Sequence, residues 1–109
     1  MANRELLHQV LQHIKEHPEG YDPRRWHRDF AGWTLRLAVP GIEVRDDNGA
    51  ESLYDADGER LWISDIGPRA QALLGLDFDQ SVALFCAANT LDDIELFVAE
   101  FTAGEVVSA

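Results

Sequence analysis

Over residues 3–17 apolar side chains recur every three to four positions: Leu6, Leu7, Val10, Leu11 and Ile14 form one stripe, opposite Glu5, Gln9, Gln12 and Glu16. That period predicts an amphipathic helix with Asn3 as its N-cap and Pro18 and Gly20 as its stop. A second apolar stretch, DFAGWTLRLAV at 29–39, is oily on most sides of a helix, with Phe30, Trp33 and Leu37 on one face and only Thr34 and Arg36 outward. Such a helix is buried on several sides and is expected to be the post around which the core is built. Asp29 caps its start and Pro40-Gly41 ends it. Gly32 costs about 1 kcal/mol against Ala in helix propensity, and close approach of another element beside Trp33 explains its presence. Between these helices, Asp22-Pro23 reads as a short separate turn running to Trp26.

From Gly41 to Ser64 the period shortens. Ile42 and Val44 alternate with polar residues, Ser52–Asp55 and Leu61–Ile63 are short strand candidates, and Asp46-Asp47-Asn48-Gly49 and Asp57-Gly58 are turn signals, the second marking the firmer hairpin. Strands this short must lean on a helix. The helical period then returns three times. IGPRAQALLGL, capped by Ser64 or Asp65, turns Ile66, Ala70, Leu73 and Leu74 inward and stops at Gly75. FDQSVALFCAA follows with Phe78, Val82 and Phe85 as its inner stripe. TLDDIELFVAEF closes the series, with Thr90 and Asp93 as a capping-box variant, Leu91, Ile94, Phe97, Val98 and Phe101 inward, and Gly104 as its end. The expected fold is therefore α+β: a single compact, mainly helical domain over 1–109, with a small antiparallel hairpin or three-stranded patch between helix 2 and three C-terminal helices, and 105–109 as a frayed tail.

Composition narrows the function classes. A chain of 109 residues can bury enough surface to fold without staples. Its net charge of −11 opposes duplex DNA and anionic membranes and leaves basic partners, cations or plain solubility as its reason. The single cysteine, Cys86, cannot form an internal disulfide, which fits a reducing compartment. MANRELLHQV is charged where a signal peptide needs an apolar region, and the apolar run Val82–Ala88 is too short for a bilayer. A soluble, cytoplasmic protein is expected, with no cofactor.

The motifs HIKEHPE at 13–19, FAGW at 30–33, ALLGL at 72–76, ALF at 83–85 and NTLDDI at 89–94 carry a resemblance to a group of small, uncharacterised actinobacterial and phage proteins. Many of those sequences place a Cys-Gly-Thr-x-x-Cys run just before Ala-Gly-Trp, whereas this chain has WHRDF there. The resemblance implies architecture, and no thiol or cysteine-metal role carries over.

Four constellations bear on chemistry. His13 and His17 have the i, i+4 spacing of paired metal ligands, but HIKEH lacks the Glu that follows the first His in zincins, so solvent-facing histidines are the expectation. Arg24, Arg25, Trp26, His27 and Arg28 form the one basic island, suited to a phosphorylated or carboxylate ligand or to internal pairing with the many acids. His27 and Asp29 lie two apart, a poor spacing for an acid–base dyad on a helix. Asp92, Asp93, Glu95 and Glu100 surround Leu96, a docking spot for a basic partner or a solvated face with one stray leucine. No nucleophile elbow or phosphate-cradling glycine motif is present, Ile66-Gly67-Pro68 lacks the second glycine and basic rim of a DNA-binding hairpin, and Asp55–Glu59 lacks both anchoring carboxylates of a calcium loop. The expected function is a non-enzymatic protein-binding or regulatory module, for instance a dimer pairing the arginine run with the acidic helix. The rival is a small enzyme or ligand-binding protein with a pocket between the hairpin and Trp26, binding an anionic small molecule through Arg24, His27 and Arg28.

Overall fold

The computed structural model describes residues 2–103, apart from the Asp47 side chain; the expected stop at Gly104 and tail at 105–109 lie outside them. Among the described residues five α-helices and a three-stranded antiparallel sheet make an α+β, mainly helical fold.

Helix α1, Arg4–Glu16, is capped by Asn3, whose side chain accepts the Leu6 N–H, and it buries Leu6, Leu7, Val10, Leu11 and Ile14. A 3-10 turn over Pro18–Gly20 follows. Residues 22–29 form turns and no helix: the Asp22 carboxylate accepts the Arg24 N–H, and the Asp22 N–H donates to Arg28 O at 3.0 Å. Helix α2, Phe30–Ala38, packs against α1 and against α3, Ile63–Leu74. Its centrality matches expectation, but its buried face is turned: Thr34, expected outward, is fully buried with Phe30, Ala31 and Leu35, while Trp33 and Leu37 are only half-buried. Thr34 tolerates the interior because its hydroxyl donates to Phe30 O at 2.8 Å. Trp33 stays at the border, where its indole N–H reaches Gly20 O at 2.9 Å.

The sheet order is β1 (Glu43–Asp47), β2 (Ala50–Tyr54), β3 (Arg60–Leu61). Here the first hairpin, rather than the Asp57-Gly58 one, is the longer, pairing at five positions from Glu43↔Tyr54 to Asp47↔Ala50 against two for β2–β3. Asn48 and Gly49 both have positive φ, 57° and 86°, the primed turn that matches strand twist. The Asp57-Gly58 loop is held by Asp55, whose carboxylate accepts the N–H groups of Asp57 and Glu59. The strand expected over Leu61–Ile63 gives way to α3 at Ile63, because Asp65, at the third position of the helix rather than at its cap, reaches back to accept the Trp62 N–H at 3.0 Å.

Helix α3 buries Ile66, Ala70 and Leu74 and leaves Leu73, expected inward, at the surface; Gly75 ends it at φ 66°. Its last turn also holds the start of α1, since the Asn3 N–H donates to Leu74 O at 2.7 Å. Helix α4, Phe78–Leu84, is capped reciprocally by Asp77 and Gln80. Its inner stripe is Ser81, Leu84 and the following Phe85, whereas Phe78 and Val82, expected inside, face outward. Asn89 closes α4 by donating to Ala83 O and Leu84 O, and Thr90 opens α5, Leu91–Thr102, which buries Ile94 and Val98. Among the described residues no helix is long and apolar enough to cross a membrane.

Candidate functional site

The basic island is largely satisfied from within. Arg24 and Arg25 both lie on Asp22, with N···O distances of 3.6 and 3.3 Å. Arg28 donates to Glu51 at 2.5 Å, and the His27 ring nitrogen Nε2 lies 3.3 Å from the same carboxylate oxygen. Glu51 thereby fastens the hairpin to the 22–29 turn. Burial works against ionisation of Glu51, but Arg28 and His27 outweigh it and hold the carboxyl below its ordinary range. His27 itself is buried, and desolvation lowers its pKa against the upward pull of Glu51. Asp29 stands apart from this cluster. Its side chain caps α2 by accepting the Gly32 N–H at 2.8 Å, and burial pushes its carboxyl up to about 8.

His13 and His17 are neighbours with ring centroids 4.8 Å apart, and His13 also packs on Trp33 at 4.4 Å. Burial, then the adjacent His17, lowers the His13 pKa. Among the described residues no group of three or more His, Cys, Asp or Glu side chains is placed to hold a metal ion. On α5, Asp93 accepts the Thr90 N–H as part of the cap, Asp92 is exposed, and Leu96 projects into solvent.

A different part of the surface is concave. Helices α3 and α4 border an open groove of about 350 Å³, lined by Ile63, Gly67, Pro68 and Gln71 from α3, Phe78, Ser81, Val82 and Phe85 from the α4 segment, and Trp26. Trp26 is the only member of the arginine run that lines it. Its placement has a traceable cause. A methyl group on Gly32 would lie 2.3 Å from Trp26 O and 2.6 Å from the His27 carbonyl carbon, so only a glycine in α2 lets the 26–27 backbone sit this close. The indole then rests over Gly67, 3.5 Å from where a Cβ there would be. Phe78, Val82 and Ile63 are 70%, 54% and 58% exposed around this groove, and Trp62, 57% exposed, stands next to Ile63 with the Arg60 guanidinium 4.1 Å over its ring.

Trp26 and Ile63 also line a second recess of about 290 Å³ under the hairpin, completed by His27, Glu51, Ser52, Arg60, Leu61 and Trp62. It lies between the hairpin and Trp26; of the residues expected to line a pocket there, His27 reaches it, Arg24 does not, and Arg28 lines a separate recess beside Trp33 and Arg36. Sequence reasoning named Trp26 but assigned Phe78 and Val82 to the interior and gave Ile63, Pro68 and Trp62 no binding role. The available signal was α4 itself, where Phe78, Val82 and Phe85 share one face and Leu84 lies on another, more apolar surface than one seven-residue helix turns toward one core. No protein-family model, curated protein or solved structure matches this chain.

Proposed function

We propose that this protein is a non-enzymatic protein-binding module whose docking surface is the apolar groove between α3 and α4. The observation that carries this reading is that Ile63, Phe78 and Val82 are each more than half exposed and border one concavity, with Trp62 adjoining. Single exposed apolar residues are ordinary on a monomer, but a contiguous apolar patch around a groove marks an interaction site. The charged patches take a lesser part, because Arg24, Arg25, His27 and Arg28 already have internal carboxylate partners. A cytoplasmic setting suits a chain whose one cysteine, Cys86, is exposed and has no second cysteine to bond. A photo-crosslinking residue installed at Val82, compared with one at Gln12, exposed in the recess between α1 and α5 and outside this groove, tests the reading in the source cells. Discrete adducts at 82 that are absent at 12 are expected; equal labelling at both positions overturns it.

A second reading is favoured by one observation: Arg60 lines the recess beneath the hairpin, so an anionic small molecule has a cation to meet there, beside the Glu51 carboxylate that His27 and Arg28 already engage. Inorganic phosphate that raises the melting temperature of the wild type but not of Arg60→Glu supports it, and equal response of the two proteins removes it.

A further inference from the structure

Resting on the groove as a docking surface, we infer that its occupant is an amphipathic helix from another protein, with apolar anchors on one face and lysines or arginines on its flanks. The walls decide the conformation. Both are helices and no strand residue lines the groove, so an incoming extended peptide finds no sheet edge to pair with. Besides the Trp26 indole, the polar side chains of the lining are committed within the chain: the Ser81 hydroxyl donates to Phe78 O at 2.7 Å and the Gln71 amide to Leu76 O at 3.3 Å. Backbone N–H and C=O groups carried into such an apolar trough must therefore be paired within the ligand itself, which a helix achieves.

The dimensions agree. Ile63, Gly67 and Gln71 succeed one another at i, i+4, i+8 along α3, and Phe78, Val82 and Phe85 at i, i+4, i+7 along the facing segment. Eight rises of a helix cover about 12 Å, the length of two turns of a partner and room for anchors at i, i+3 or i+4 and i+7. Charge selects the flanks. The chain carries −11, and Asp77 and Asp79 stand exposed on either side of Phe78 at the start of α4. The cations beside the groove are Arg60, over the Trp62 ring at 4.1 Å, and the exposed Arg69 that follows Pro68 on α3, so the acidic flank is the α4 side. A second copy of the chain brings a further −11 to the interface, so self-association here is opposed where a basic partner is drawn in.

Selection from a displayed library of randomised 16-residue peptides on the full chain tests this, followed by anisotropy titration of the enriched peptides against wild type, Phe78→Ala and Val82→Asp. Enrichment of apolar residues at helical spacing with Lys or Arg between them is expected, with affinity falling about tenfold or more in both variants, as for loss of an interface anchor. Val82→Asp separates docking from mere charge attraction, since it makes the surface more acidic and loosely attracted cations bind it at least as well. Enriched peptides that are proline-rich, acidic or without helical spacing overturn the helix inference. So does sedimentation of the wild type as a dimer that Val82→Asp dissociates. In both cases adducts at position 82 in cells leave the groove standing as a protein-docking surface, whereas equal labelling at 82 and 12 removes that surface itself.

Discussion

Two residues at the start of α2 show how much of the molecule hangs on local chemistry. Gly32→Ala gains about 1 kcal/mol of helix propensity, yet its methyl meets backbone atoms of Trp26 and His27 that are not the ends of flexible side chains. Overpacking of this kind costs about 3 kcal/mol, so chemical denaturation is expected to show a clear net loss, together with changed Trp26 fluorescence as the turn is pushed off the helix. Asp29 titrates in the opposite sense from most capping carboxylates. Unfolded, it ionises near pH 3.9, about the value of a free side chain; folded, burial moves it to about 8. Its contribution to stability is fully present below the unfolded value and is lost as pH rises through the folded one, with a slope of at most about 1.4 kcal/mol per pH unit. Asp29→Asn keeps an oxygen for the Gly32 N–H and removes the ionisation. The gap between variant and wild type, measured by urea unfolding at pH 5, 7 and 9, is therefore expected to widen with pH in favour of the variant; a constant gap contradicts the assignment.

Among the elements, those with a single apolar face and a good cap were readable from the chain alone. Helices α1 and α5 start at Asn3 and Thr90 as their side chains dictate, and Gly32 announced a close neighbour that proved to be the 26–27 backbone. Misread features share one cause: periodicity states which residues are apolar, and tertiary contact decides which of them are covered. Thr34 went inside because an i−4 carbonyl satisfied it, and Phe78 and Val82 went outside because Ser81 and Leu84 took the inward side of α4. The candidate groove was legible in only one of its principal residues, Trp26, since a docking face and a core face have the same alphabet. Glu51 was not legible at all, because nothing in a strand sequence says that its carboxylate joins a histidine and an arginine more than twenty residues earlier. Its role gives a signed expectation. Glu51→Gln removes the negative charge that props up His27, so the imidazole is expected to titrate lower still by NMR, with a stability loss of about 1 kcal/mol for a partly exposed pair. An unmoved or raised His27 titration disproves the clasp.

At the scale of the whole molecule, a net charge of −11 is a standing self-repulsion. Sodium chloride raised from about 0.01 M, where the screening length is about 30 Å, to about 1 M, where it is about 3 Å, is expected to increase the melting temperature; a decrease means that the few ion pairs outweigh the excess of acids. The same chain sets an outward-facing thiol, Cys86, immediately after Phe85 at the end of the groove, and carries no other sulfhydryl. One maleimide dye therefore attaches at one place, without engineering, within a residue of the proposed contact. The native polypeptide thus comes with its own mooring for a probe, able to register a visitor's arrival, departure and residence time in real time.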